Sequence, residues 1–247
     1  MRLPSNLAVG LLPSMVALQG QGSVTALHRH HGMHLLLARE GELAVSISDR
    51  KPRSTAGILT PPQLEHAVDA GGRTMVLFFV DPESMPGKRL ERGLEGSPIW
   101  IDEEARQVLL AELPAAPDGE ALRAWMHHTL SFLEVNGDGP RTMHPKVKRV
   151  LRLLEEARLD PAPTLEDFAD QVGLAPSRLR SAFMDSTGTP WRAYVRWLRL
   201  QRAARALSEG VAANEAAVTA GFIDAAHMAR TFQSTYGISS RTLMGRG

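Results

Sequence analysis

The sequence AVTAGFIDAAHMARTFQSTYGIS, residues 217–239, specifies its local fold more clearly than any other part of the chain. A helix of small residues ends at Gly221, and glycine readily adopts the positive φ that ends many helices. After a short turn, Asp224 is placed to cap a second helix, whose inward face carries Met228 and Phe232. This layout predicts a helix-turn-helix unit with an exposed helix face that fits a DNA major groove.

A second copy of this pattern, ADQVGLAPSRLRSAFMDSTGTP, occupies residues 169–190. Its Gly173 corresponds to Gly221 and its Phe183 to Phe232. Ala175 stands where a capping side chain is expected, and the proline that follows is tolerated in a first helical turn. The connecting sequence WRAYVRWLRLQRAARALSEG predicts a helix of ~27 Å, which suits two units about one DNA turn apart.

Together these segments resemble the DNA-binding domain of AraC/XylS-family transcription regulators over residues 145–247. The motifs are LEDFADQVGLAPSRLRSAF, RLQRAARALSEG and EAAVTAGFIDAAHMARTFQSTYGISSRTL. The resemblance implies two recognition helices that enter successive major grooves. It assigns base-facing positions in both helices: Ser177, Arg178, Arg180 and Ser181 in the first, and Ala225, Ala226, His227 and Arg230 in the second.

Arg180 and Arg230 are the strongest candidates for direct readout, because a guanidinium binds guanine O6 and N7 in bidentate fashion. Ala225 and Ala226 depart from the polar residues common in the family and leave only methyl contacts, so the second half of the footprint would be read loosely. Phosphate contacts are expected from Ser234, Thr235 and Arg241 and, on the connecting helix, from Arg192, Arg196 and Arg199, for which a solvated face is an equal alternative.

The N-terminal half has a different periodicity. The segment ELAVSIS alternates apolar and small polar residues, and TMVLFFV is a continuous apolar run, so short strands are predicted. Residues 20–82 resemble a cupin barrel, with His28, His30, His34 and His66 at the four metal-ligand positions of that fold and Gln63 where glycine is usual. The predicted fold class is therefore α+β: a cupin-like β-barrel with a helical bridge, followed by an all-α domain with two helix-turn-helix units.

Three roles for the four histidines remain open at this stage. Neutral imidazoles suit Zn, Ni, Cu or Fe, so one is a divalent transition-metal site. The second is a pocket for a small organic effector without metal, and the third is a structural remnant. His31 has the wrong strand parity and is expected to be exposed.

The domain boundaries follow from these patterns: a sensor barrel over 1–97, a helical bridge or dimerisation segment over 98–136, a linker over 137–145 and the DNA-binding domain over 146–247. On the bridge, an apolar stripe of Leu122, Trp125, Leu130 and Leu133 would pair with its copy in a homodimer. Packing of the same stripe on the barrel is an equal alternative.

Charge and composition are consistent with this division. Residues 1–144 carry a net charge of −4 and residues 145–247 a net charge of +5, and a basic half invites a polyanion. The chain has no cysteine, which excludes disulfides, thiolate zinc sites and a cysteine nucleophile. No apolar run approaches the ~20 residues of a membrane span, and the N-terminus lacks a signal-peptide pattern, so a cytoplasmic location is expected.

We therefore expect a non-enzymatic transcription regulator that binds double-stranded DNA, senses a small molecule or metal ion, and contacts RNA polymerase, with no membrane partner. Activation is the usual mode of the family, and repression stays open. The alternative is a metal-dependent cupin enzyme with a helical appendage.

Overall fold

The computed structural model describes residues 8–48, 50–133 and 143–236 of the 247-residue chain. In these described residues, eight strands are followed by one helix, a ninth strand and then eight helices. The strands are β1 (Ala8–Leu12), β2 (Met15–Gln21), β3 (Met33–Ala38), β4 (Leu43–Ile47), β5 (Arg53–Thr55), β6 (Gly57–Thr60), β7 (His66–Asp69), β8 (Thr74–Val80) and β9 (Ile99–Ile101). The helices are α1 (Met85–Leu94), α2 (Glu103–Leu110), α3 (Gly119–Phe132), α4 (Pro145–Glu156), α5 (Glu166–Val172), α6 (Pro176–Thr187), α7 (Trp191–Ser208), α8 (Ala213–Thr219) and α9 (Ala225–Tyr236).

The strands form two antiparallel sheets. A six-stranded sheet has the order β1-β2-β8-β3-β6-β9, and a three-stranded sheet has the order β5-β4-β7. Leu36 of β3 packs with Leu43 and Val45 of β4 between the two sheets. This arrangement confirms the predicted β-rich N-terminal domain. The alternation in ELAVSIS has the predicted cause, because Leu43 and Val45 face the interior.

Both faces of the large sheet are covered, which explains the unbroken apolar run of β8. Phe78 of β8 packs with α2 and α3 on one face, whereas Phe79 belongs to a core shared with α7, α8 and α9. On that second face, the small sheet covers one part and the C-terminal helices cover another. The second helix-turn-helix unit therefore packs directly against the six-stranded sheet of the β domain, through the core that contains Phe79.

The described part of the segment predicted as a bridge, residues 98–133, packs its apolar stripe against the β domain. The stripe residues Leu122, Trp125 and Leu130 are buried against the β domain, and the Trp125 indole N–H donates to Leu109 O at 2.7 Å. This stripe is therefore not available to a second copy, and a homodimer would need other surfaces. The boundary predicted at residue 97 also falls too early, since β9 pairs with β6 and extends the sheet to Ile101.

The helical half contains the two predicted units, α5–α6 and α8–α9, joined by α7. The glycines that end the first helix of each unit have positive φ, 60° at Gly173 and 90° at Gly221. Most of the predicted linker lies outside the described residues, as does Arg241. Among the described residues, no helix is long and apolar enough to cross a membrane.

Candidate functional site: the recognition helices and the histidine cluster

Helix α6, the second helix of the first unit, buries one face and exposes the other. Leu179 and Phe183 are fully buried in a core with α4, α5 and α7. All four base-facing candidates on this helix, Ser177, Arg178, Arg180 and Ser181, are exposed. Ala175 precedes the helix with no side-chain cap, as predicted.

The Arg180 guanidinium donates to the Glu166 carboxylate of α5 at 3.0 Å, and both side chains are more than half exposed. An exposed pair of this kind contributes only ~0–1 kcal/mol. Because the ion pair contributes so little to stability, Arg180 can leave Glu166 and bind another partner.

Helix α9, the second helix of the second unit, follows the same plan with a better N-terminal cap. The Asp224 carboxylate accepts from the His227 backbone N–H at 2.6 Å, which confirms the predicted cap. Met228 and Phe232 are buried, whereas Arg230 is exposed. Ala226 is also exposed, and Ala225 and His227 are half-buried.

The three arginines of α7 do not form a uniform phosphate-binding face. Arg196 donates to the Asp81 carboxylate of the β domain at 2.6 Å, and Arg199 donates to the backbone carbonyl of Leu159. Arg192 is exposed. Structural roles therefore account for Arg196 and Arg199, and sequence periodicity gave no signal for either partner.

The four histidines predicted as ligands lie close together in the β domain. One ring nitrogen from each of His28, His30 and His66 lies within 4.8 Å of the others. The His34 ring centroid is 4.4 Å from that of His30 and 4.7 Å from that of His66. The His31 side chain is 39% exposed, as predicted, although residue 31 lies in the loop before β3 and not in a strand.

The backbone explains how distant parts of the sequence bring these rings together. His28 and His66 exchange both backbone hydrogen bonds, at 3.0 and 2.9 Å. The His34 side chain lies on the same face of the sheet as that of Leu36. Its cross-strand neighbour on β8 is Phe79. Gln63, at the position where the resembling motif has glycine, has a φ of 60°, and its N–H donates to His30 O at 3.0 Å.

The hydrogen bonds of the rings fit a metal-binding role. The Nδ1 atoms of His28, His30 and His66 each lie 2.8 Å from a backbone carbonyl oxygen, to which a protonated Nδ1 donates. Metal-binding histidines typically have this outer hydrogen bond, which leaves Nε2 with a free lone pair. The Nε2 atoms of His30 and His66 and both ring nitrogens of His34 are buried with no hydrogen-bond partner.

Burial keeps the imidazoles of His30, His34 and His66 neutral by lowering their pKa values. Desolvation, and then the neighbouring His66, lower the pKa of His30 to about 3. Desolvation, partly offset by the hydrogen bond to Leu64, lowers the pKa of His66 to about 4. The pKa of His34 is lowered well below its usual value, chiefly by burial. Buried nitrogens that stay unprotonated and unpaired are what a transition-metal site requires, so the donor set fits such an ion.

A family model described as a helix-turn-helix domain matches residues 168–246, which contain both units. The match shows that the chain carries a helix-turn-helix domain over these residues. The match runs from within α5 through α9, so it confirms the predicted helix-turn-helix character of this part of the chain.

Two curated relatives match over a similar length. The chain is 30% identical over 96 residues to the bifunctional transcriptional activator/DNA repair enzyme Ada of Escherichia coli strain K12, covering 39% of this chain and 26% of Ada. It is 34% identical over 92 residues to the transcriptional activator NphR of a Rhodococcus species, covering 37% of this chain and 27% of NphR. The chain thus spans about a quarter of the length of the curated relatives it matches.

Among solved structures, ToxT from Vibrio cholerae is similar over 95% of this chain and 100% of its own, at 12% identity and a TM-score of 0.47.

Proposed function

We propose that this protein is a sequence-specific DNA-binding transcription regulator whose β domain binds a divalent transition metal. The observation that carries the DNA-binding part is the pair of helix-turn-helix units, each with a buried apolar face and an exposed face that carries a candidate base-reading arginine, Arg180 or Arg230. Bidentate arginine contacts to guanine supply base discrimination of ~1–3 kcal/mol each. RNA polymerase and a second copy of the chain are the further partners that this function calls for.

The metal-binding part rests on the histidine cluster. His28, His30 and His66 would hold the ion through Nε2, and His34 is a fourth candidate ligand. The backbone carbonyls of Ala26, Gly32 and Leu64 fix the ring orientations through Nδ1. A bound divalent cation would supply positive charge at a place where burial holds the imidazoles of His30, His34 and His66 neutral by lowering their pKa values.

The DNA-binding part is tested by selection of bound duplexes from a random pool with purified full-length protein. We expect enrichment of a bipartite motif with two half-sites about one helical turn apart. Recovery of unrelated sequences, with no common motif after repeated rounds, would contradict sequence-specific binding.

The metal-binding part is tested by elemental analysis of protein purified without a histidine tag, after dialysis against Zn²⁺. We expect about one equivalent of zinc in the wild type and in His127→Gln, which changes an exposed histidine of α3. The double variant His30→Gln/His66→Gln should retain little. Equal metal content in all three proteins would exclude the cluster as the site.

The enzymatic alternative makes a separate prediction. A metal-dependent cupin enzyme would turn over a small substrate, and Arg180→Ala/Arg230→Ala would leave that turnover intact. A regulator would lose sequence-specific DNA binding in the same double variant. Measuring substrate turnover and DNA binding in the zinc-loaded wild type and variant therefore separates the two functions.

A further inference from the structure

The segment that carries two of the cluster histidines also touches the second recognition helix. Residues 28–32, here named the histidine loop, contain His28 and His30 and end at Gly32, immediately before β3. The backbone N–H of His31 donates to Ser234 O at 3.1 Å, and that of Gly32 donates to Thr235 O at 3.1 Å. Both acceptors lie in the last turn of α9.

These two hydrogen bonds act as a C-terminal cap that comes from another domain. The last four carbonyls of an α-helix have no partner within the helix and need donors from elsewhere. The histidine loop supplies two such donors to α9. The position of the loop and the end of the recognition helix therefore depend on each other.

Gly32 is the residue at which the cluster and the helix meet. Its carbonyl oxygen lies 2.8 Å from His30 Nδ1, and its N–H caps α9 through Thr235. A Cβ on residue 32 would lie 2.5 Å from Thr235 O. Because the φ of Gly32 is not in the positive range, close approach of the two domains explains the glycine here.

A second contact runs through side chains. The Phe79 ring lies 5.4 Å from that of His34 and 6.0 Å from that of His30. Phe79 also belongs to the core that includes Met228 and Phe232 of α9. The core of the first unit contains no residue of the β domain among the described residues. The N-terminal half meets the end of α6 through the Met85 N–H, which donates to Gly188 O at 2.7 Å. Near it, Ser14 Oγ donates to Thr189 Oγ1 at 3.2 Å, and neither contact involves the histidine loop.

We propose that the histidine loop couples the cluster to the second recognition helix, with Gly32 as the coupling residue. This inference rests on the proposed function and adds the route by which the metal regulates DNA binding. Occupancy of the cluster changes the orientation of His30 and of the Gly32 carbonyl, and hence the cap on α9. The second half-site of the bound DNA then responds to metal more strongly than the first.

Thermodynamics makes the coupling reciprocal. If zinc changes the affinity for DNA by some factor, DNA changes the affinity for zinc by the same factor. Couplings of this kind typically amount to ~5–150-fold. If the coupling passes through the histidine loop, the effect of zinc on DNA affinity must disappear when the loop is displaced from α9, even though the histidines are still present.

The test compares wild type, Gly32→Ala and Gly93→Ala, all full-length. Gly32→Ala places a methyl group against Thr235 O, whereas Gly93→Ala makes the same chemical change on α1, where a Cβ meets no atom within 4 Å. For each protein, affinity for the selected duplex is measured without metal and with saturating Zn²⁺. Footprinting then reports the two half-sites separately.

We expect zinc to change the DNA affinity of wild type and Gly93→Ala at least fivefold, mainly at the second half-site, and that of Gly32→Ala less than twofold. The inference is overturned if zinc changes the DNA affinity of all three proteins by the same factor. It is also overturned if the wild type binds both zinc and DNA but zinc leaves its DNA affinity unchanged. Neither result affects the proposed function. Failure to bind zinc or to select any DNA motif removes the proposed function itself, and this inference with it.

Amide hydrogen exchange on the wild type tests the same inference without the Gly32→Ala variant. Zinc saturation should change the protection of amides in α9 at least fivefold and that of amides in α6 less than twofold. Equal changes in both helices, or none in either, overturn the inference even if Gly32→Ala does not fold.

Discussion

The Asp81 carboxylate, 4% exposed at the end of the β domain, accepts a 2.6 Å hydrogen bond from the Arg196 guanidinium of α7. Its other oxygen accepts from the backbone N–H of Glu83 at 2.9 Å and lies 3.9 Å from His31 Nε2. One buried carboxylate thus joins the helix between the two recognition units to the β domain and stands beside the histidine loop.

Asp81→Ala should lower the free energy of unfolding by about 1–3 kcal/mol, because it leaves the guanidinium and a backbone N–H without their acceptor. Glu83→Ala is the matched control. Its carboxylate is 3.8 Å from Arg196 and half exposed, so its removal should cost less than about 1 kcal/mol. Urea denaturation measures both, and an equal cost would show that the contact contributes little beyond surface charge.

Arg180→Ala and Arg230→Ala should each weaken binding to the selected duplex by roughly 5- to 150-fold, the equivalent of ~1–3 kcal/mol for a lost bidentate base contact. Binding to unrelated duplexes should fall much less, since phosphate contacts dominate it. Arg92→Ala removes an exposed arginine of α1 and serves as the control. Titrations at fixed salt measure the affinities; a uniform loss on all sequences would reassign these arginines to the phosphate backbone.

The two N-caps predict opposite effects of substitution. Asp224→Ala removes the carboxylate that accepts from His227 N–H and should destabilise α9 by about 0.5–2 kcal/mol. Ala175→Ser adds a hydroxyl at the uncapped start of α6, where the backbone is already extended, and should stabilise the protein by a similar amount. Thermal unfolding of both variants checks the signs, and a destabilising Ala175→Ser would show that Pro176 prevents capping.

The helix-turn-helix units were predictable because their signals are local. Gly221, Asp224 and Phe232 fix a helix end, a cap and a buried face within twelve residues, and each is found in the predicted role. The cluster of His28, His30 and His66 was predictable from the spacing of two motifs that resemble those of a cupin, although His28 and His30 lie outside the strands of the structure.

The contacts between domains had no such signal. Gly32 and Thr235 are about two hundred residues apart, and no periodic pattern marks either as a partner of the other. The stripe on α3 was ambiguous for a different reason, since burial within one chain and burial in a dimer select the same apolar residues. The three residues of β9 were too few to show a strand period.

The buried histidines also predict how stability depends on pH in protein freed of metal by a chelator. Burial lowers the pKa of His30 to about 3 and that of His66 to about 4, both below the value of 6.5 for an unfolded chain. The unfolded state therefore binds more protons than the folded state once the pH falls below 6.5. The stabilising contribution is complete above pH 6.5 and is lost progressively as the pH falls toward 4.

Urea denaturation at pH 7.5, 6, 5 and 4.5 measures this loss, which should be steeper for the wild type and His127→Gln than for His30→Gln/His66→Gln. The same pH slope in all three proteins would mean that these imidazoles are not held neutral by the fold.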